Sequence, residues 1–188
     1  QEKVFVVEGH KSVDELLQSF SCKLIVATSQ WLQKNKGVNA QEIIEVSDDE
    51  LAKASFLKSP QEVLALFEQP NYELDYSIPQ KKLCLALDDV QDPGNLGTII
   101  RVADWFGIDN IFCSQGTADI YNPKTVQATM GAISRVKVHY CDLPAFISSL
   151  DGVKVYGTFL DGENLYDSPI SKNGLIVMGN EGNGICPE

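Results

Sequence analysis

Arginine is scarce in this chain. Only Arg101 and Arg135 occur among 188 residues, against thirteen lysines, and 26 acidic side chains outnumber 15 basic ones to leave a formal charge of −11. A surface coated with phosphate-binding cations is thereby excluded, so any nucleic-acid contact has to be local and the position of each arginine carries weight. Metal-ligand spacing is lacking too: the two histidines, His10 and His139, stand alone, and the five cysteines are scattered singly without a Cys-x-x-Cys pair. Cys84 and Cys113 sit in apolar, strand-like runs and read as small core hydrophobes of a reducing compartment. No apolar run is long enough to span a bilayer, and Gln1-Glu2-Lys3 does not open a signal peptide. The expectation is a soluble, cytoplasmic protein with neither a membrane nor a metal partner.

What is present is an ordinary apolar fraction, 44%, arranged in alternating strand-like and helix-like segments. Strands are predicted over 4–9, 23–27 and 41–46. Helices are predicted over 12–20, from Thr28 or Ser29 onward, and from a capping box at Ser47-Asp48-Asp49-Glu50. In the first helix Ser12 is the expected cap and Glu15 its capping-box partner, with Val13, Leu16 and Leu17 on the apolar face. A further apolar run covers 62–67, and residues 1–70 make a small alternating α/β unit. Periodicity lapses around Gln69-Pro70-Asn71-Tyr72 and Ile78-Pro79-Gln80, so 71–82 is read as a linker and 83–188 as a second domain.

The second domain opens with an apolar strand, 83–87, followed by Asp92-Pro93-Gly94, a turn that breaks the strand and starts a helix. Asn95 is the expected cap of that helix. Leu96, Ile99, Ile100, Ala103 and Phe106 form one stripe, while Arg101 and Asp104 occupy a different face. A single cation is thus presented beside a loop of backbone N–H groups. Further strands are predicted at 110–113, 135–140, 153–159 and 174–178, with helices from Pro123, capped by Asn122 and ending near Gly131, and over 143–150. This alternation implies a mainly parallel sheet covered on both faces. The last strand runs into Gly179-Asn180-Glu181-Gly182-Asn183-Gly184-Ile185, where glycines let backbone approach a ligand at the carboxyl end of a parallel strand. Its Gly-x-x-Gly-x-Gly pattern is neither that of a dinucleotide site nor that of a P-loop, and by itself it fits a plain turn equally well.

Taken together and in order, Asp92-Pro93-Gly94-Asn95-Leu96-Gly97-Thr98-Ile99-Ile100-Arg101, Ala128-Thr129-Met130-Gly131-Ala132 and the 179–185 loop resemble the SpoU (TrmH-type) RNA 2′-O-ribose methyltransferases of the SPOUT superfamily, from residue 83 to the end. More loosely, Phe5-Val6-Val7-Glu8-Gly9-His10-Lys11-Ser12-Val13 and Ser59-Pro60-Gln61-Glu62-Val63-Leu64-Ala65 resemble the ribosomal-protein-like RNA-binding domain that often precedes them. The resemblance implies S-adenosyl-L-methionine as cofactor, a ribose 2′-hydroxyl of RNA as acceptor, a homodimer, and a C-terminal trefoil knot of a kind that is very rare. It matches Asn95, Arg101 and Glu181 to substrate and catalytic positions, and Gly179, Asn180, Gly182 and Ile185 to the cofactor loop, with Thr158 near the adenosine. A guanidinium is almost never deprotonated, so Arg101 is expected to hold a phosphate or ribose, Asn95 to orient Arg101 or the ribose, and Glu181 to fix Arg101 or a backbone turn. Ribosomal RNA is favoured over transfer RNA, because an added RNA-binding domain suits a structured ribosomal site. The family's third motif, a Ser-Leu-Asn-Val type segment, is not among these residues, so the chain by itself is expected to hold an incomplete knot and an incomplete methyl-donor site. The alternatives are a non-catalytic RNA-binding protein that keeps the fold, or a transfer-RNA methyltransferase. A nicotinamide enzyme would need a Gly-x-Gly-x-x-Gly turn after the first strand of 83–188, which that segment lacks.

Overall fold

The computed structural model describes residues 3–164 and 166–187. The first half folds around a four-stranded sheet of β1 (Val4–Glu8), β2 (Cys22–Ala27), β3 (Glu42–Glu45) and β4 (Val63–Glu68), ordered β1-β4-β2-β3. β4 is antiparallel to both β1 and β2, and β3 runs parallel to β2. The unbroken apolar stretch 63–67 of the predicted run now has its reason: a strand flanked on both edges and covered on both faces has no solvent side with which to alternate.

Helix α1 (His10–Leu16) departs from expectation, because it begins after Gly9 at φ 91° and has no side-chain cap, Ser12 lying inside it. Glu15, free of any capping role, reaches Arg135 in the second half instead. Helix α2 (Ser29–Lys34) is capped by Thr28, whose hydroxyl accepts from Trp31 N at 3.5 Å. Helix α3 (Asp48–Ala54) carries the predicted capping box, with Ser47 N donating to Glu50 Oε2 at 2.9 Å and Glu50 N to Ser47 Oγ at 3.4 Å.

The segment read as a linker is packed rather than loose. It contains the short helix α4 (Ile78–Lys81), and its aromatic rings lie on the second half, Tyr72 at 6.2 Å from His139 and Tyr76 at 5.1 Å from Phe146. Beyond it, β5 (Leu83–Leu87), β6 (Asn110–Cys113), β7 (Lys137–Tyr140), β8 (Val155–Gly157) and β9 (Gly174–Met178) form a wholly parallel sheet ordered β7-β6-β5-β9-β8. Two strands of this sheet are shorter than predicted. Residues 132–136 are taken up by a 3₁₀ turn and its exit, and only the middle of 153–159 pairs with β9.

Helices α5 (Pro93–Trp105) and α6 (Pro123–Thr129) pack closely together. A Cβ at Gly97 would lie 2.5 Å from the Thr125 carbonyl oxygen and 2.6 Å from Ala128 Cβ, so only glycine permits this approach. Helix α7 (Leu143–Ser148) covers the other face of the sheet, where Phe146 stacks on Phe112 at 4.3 Å. One apolar cluster runs without a break from Phe5, Val7 and Phe67 to Leu96, Ile100 and Val126, so the two halves share a core. Phe5 meets Tyr121 across the seam at 5.0 Å.

Candidate active site

β5 and β9 are parallel neighbours in the sheet, so the loops that follow them leave side by side from the same, carboxyl end. Ligands of open parallel sheets bind in this region, outside the carboxyl ends of the strands. The loop after β5 is held tightly. Asp88 N donates to the Met178 carbonyl at 2.9 Å, and Asp88 Oδ2 accepts from Cys186 N at 2.8 Å. Asp89 sits at φ 55°, a left-handed conformation uncommon outside glycine, and its N–H donates to Ser114 Oγ at 2.8 Å.

The cap of α5 is Asp92 and not Asn95. Asp92 Oδ1 accepts from Asn95 N at 2.9 Å, Pro93 occupies the first turn, and Lys124 Nζ lies 2.8 Å from Asp92 Oδ2. That ion pair, with the capping bond, holds the Asp92 carboxyl below its ordinary range. The sequence signal was there, since proline favours the first helical position and points to the residue before it as cap. The displacement has a chemical consequence. The Asn95 side chain, relieved of capping, donates through Nδ2 to Glu181 Oε1 and joins the two loops.

The 179–185 loop is a closed turn. Asn180 N donates to the Gly184 carbonyl at 2.9 Å and Gly184 N to the Asn180 carbonyl at 2.8 Å, with Gly184 at φ 71°. The Asn180 side chain serves both loops: Nδ2 donates to the Asp89 carbonyl at 2.8 Å, while Oδ1 accepts from Gly182 N at 2.9 Å and Asn183 N at 3.1 Å. The two glycines differ in kind. A Cβ on Gly179 would fall 2.2 Å from Gly184 carbonyl carbon, so that glycine closes the turn. A Cβ on Gly182 would meet only Asn180 Oδ1, at 3.5 Å, so it faces open space.

That space is a cleft of 570 Å³ between residues 158–161 and 179–184. Thr158 lines it, although its hydroxyl and N–H both donate to the Val177 carbonyl at 3.1 Å. Glu181 and Asp161 place two carboxylates there. Ile185 packs its side chain against the cluster of Cys84, Phe112 and Leu175, leaving only its backbone to the loop. A glycine-floored cleft with carboxylates suits a ligand that carries hydroxyls and positive charge.

Arg101 lies six residues after Asn95 on α5, about 9 Å along the axis. It is exposed and makes no ion pair or side-chain hydrogen bond among the described residues. Glu181 therefore fixes Asn95 rather than Arg101, and Asn95 does not orient Arg101 directly. The structure brings together Asn95, Glu181, Asn180 and Gly182. Asp88, Asp89, Asp92 and Asp161 are the residues that sequence reasoning missed.

Residues 82–188 match the SpoU rRNA methylase family, and residues 1–65 match the MRM3-like substrate-binding domain. The chain belongs to the SpoU rRNA methylase family. It is 33% identical over 186 residues to the Bacillus subtilis 23S rRNA (guanosine(2553)-2′-O)-methyltransferase RlmP, covering 96% of this chain and 73% of that SpoU relative. A TrmH-family protein from Porphyromonas gingivalis superposes with a TM-score of 0.84 at 37% identity, over 98% of this chain and 75% of that one. An rRNA methyltransferase from Sinorhizobium meliloti, solved with AdoMet bound, superposes with a TM-score of 0.80 at 33% identity, over 98% of this chain and 73% of that one. The fold is thus that of SpoU-family methyltransferases.

Proposed function

We propose that this chain methylates a ribose 2′-hydroxyl of large-subunit ribosomal RNA, with S-adenosyl-L-methionine as donor, working as a homodimer in which residues 1–70 bind the RNA. The observation that carries the reading is the Asn95 to Glu181 bond, which ties the loops of β5 and β9 beside the 570 Å³ cleft. RlmP, by its name, acts on a guanosine 2′-O in 23S rRNA, and that supports the choice of acceptor.

Gly179, Asn180, Gly182 and the Ile185 backbone would hold the cofactor, with Thr158 at the far wall. When bound, S-adenosyl-L-methionine supplies an electrophilic methyl group on a sulfonium. Gly182 leaves the room, and the carboxylates of Glu181 and Asp161 favour a positive charge and ribose hydroxyls. Asn95, oriented by Glu181, positions the acceptor ribose. Arg101 holds a phosphate of the target nucleotide with its fork of donors and keeps its own proton. The proton that the 2′-hydroxyl loses as its oxygen takes the methyl group therefore passes to that phosphate or to water, and the donor sulfur leaves as a neutral thioether. Most of the rate then comes from placing a weak nucleophile in line with the methyl group. Exposed Val102 and Phe106, which line an apolar groove of 910 Å³, together with exposed Trp105 on α5, are the surface for the second subunit.

The test is incubation of the full-length protein with labelled S-adenosyl-L-methionine and unmodified ribosomal RNA. The expected product carries one nucleotide whose 3′ linkage resists alkaline hydrolysis, the mark of a methylated 2′-oxygen. A label on a base, or no transfer to ribosomal RNA, would refute the reading.

A further inference from the structure

A second cleft, of 600 Å³, opens between the two halves of the chain, next to the loop that carries Asn95. Glu8, Phe56 and Leu57 line it from the first half, and Gly94, Lys124 and Gln127 from the second. Phe56 stands 69% exposed in it, although burying such a ring contributes about 1.5–3 kcal/mol. The exposure is built and does not come from a loose loop. Glu8 is only 6% exposed, and both of its carboxylate oxygens are committed to this one segment. Oε1 accepts from Phe56 N at 2.9 Å and Oε2 from the Ser55 hydroxyl, while Ser55 Oγ accepts from Leu57 N at 3.0 Å. Burying a carboxylate is costly unless it is fully hydrogen-bonded, and here that cost is met by bonds whose effect is to hold a bare aromatic ring in place.

The chemistry around the ring selects its occupant. Gln127 is exposed, offers an amide donor and acceptor, and makes no side-chain hydrogen bond among the described residues. Lys124 supplies a cation with 62% of its side chain exposed, paired on one side with Asp92. Gly94, which lines the cleft, is the chain neighbour of Asn95, so the cleft lies beside the loop assigned to the acceptor ribose. An aromatic face, an amide and an ammonium within one cleft are the set that recognises an unpaired base and its phosphate.

We infer that Phe56 is the stacking platform for an unpaired nucleobase of the substrate RNA, flanking the methylated nucleotide, with Gln127 reading the base edge and Lys124 at its phosphate. This rests on the ribose-methylation reading above. Phe56 is in these terms a specificity-determining residue contributed by the first half to a site in the second.

Two measurements on the full-length protein test it: steady-state methylation of an unmodified ribosomal RNA transcript, and binding of short single-stranded RNA carrying 2-aminopurine, whose fluorescence is quenched on stacking. Phe56→Ala raises KM for the transcript about tenfold and weakens oligonucleotide binding to match, since one stacked base is worth about 1–3 kcal/mol. It leaves kcat, cofactor affinity and melting temperature unchanged. Phe56→Trp restores both readouts and quenches the probe, whereas Phe56→Leu does not. Wild-type KM in Phe56→Ala, or rescue by leucine as good as by tryptophan, overturns the platform, the latter marking an apolar protein contact instead. If the wild type methylates no RNA but loses oligonucleotide binding with Phe56→Ala, the ribose-methylation reading has failed and the platform stands.

Discussion

Arg135 and Arg101 lie in adjoining parts of the second half and share only their side-chain type. Arg135 donates through Nε to Asp104 at 2.9 and 3.0 Å, through Nη2 to Asp104 at 2.8 Å, and through Nη1 to Glu15. Beside Asp104 first and Glu15 second, its guanidinium is held above the usual arginine range. It therefore clamps α1 of the first half to α5 of the second. Arg101, one turn before Asp104 on the same helix, has no such partner among the described residues. Carboxylates are not in short supply in a chain with 26 of them. An unpaired fork of donors in so acidic a molecule is available to an anion from outside, and RNA phosphate is the anion the proposed reaction brings.

The sharpest way to break this contrast is Arg101→Ala. Methylation should fall about 10²–10³-fold, the usual cost of losing a donor that acts in the transition state. Stability should stay within about 0.5 kcal/mol and cofactor affinity should hold, because no intramolecular bond is lost. Radiolabelled methyl transfer with parallel calorimetry checks both, and a large drop in melting temperature would mean that Arg101 is structural after all.

Gly182→Val comes next. Its side chain would enter the open cleft rather than the fold, so the protein should remain folded while cofactor affinity falls about 10–100-fold, from about 1–3 kcal/mol of overpacking. Undiminished affinity by calorimetric titration would make the loop a plain turn. Gly97→Val is the contrasting substitution, for there the clash is with the α6 backbone and the loss should appear as instability.

Arg135→Ala should lower stability by only about 1 kcal/mol, since the pairs are partly exposed and screened. The shift in urea midpoint should shrink as salt rises, and a null result would mean that apolar packing, and not this ion-pair clamp, holds the seam.

The smallest effect concerns pH. His139 is buried, with Nε2 at 3.0 Å from Asn110 Oδ1, and burial, assisted by Lys137, holds its pKa below the usual value. The unfolded chain then binds the proton more readily, so this contribution is complete above about pH 6.5 and is lost as pH falls below it. His139→Gln should flatten stability against pH in that window.

Much of the site could be read in the residues themselves. Asp92-Pro93-Gly94, the capping box at Ser47 and the apolar runs of β5 and β9 act over a few positions, where backbone geometry and periodicity dominate. The 179–185 loop and the 92–101 stretch were identified by pattern. What they do to each other was not, and Asn95 illustrates why: after a Pro-Gly turn it reads as a cap, while the cap is Asp92 and Asn95 reaches Glu181, 86 positions away.

By itself the sequence determined the alternation of strands and helices, the parallel second sheet, the family motifs and the scarcity of arginine. Only the tertiary structure decided that Asn95 binds Glu181, that Arg135 is spent across 120 positions on Glu15 while Arg101 has no such partner among the described residues, and that Glu8 holds Phe56 in the seam. The physical reason is range. Local dihedral preference and side-chain period are set by neighbours in the chain, whereas a side chain's partner is set by which strands become adjacent once apolar surface is buried.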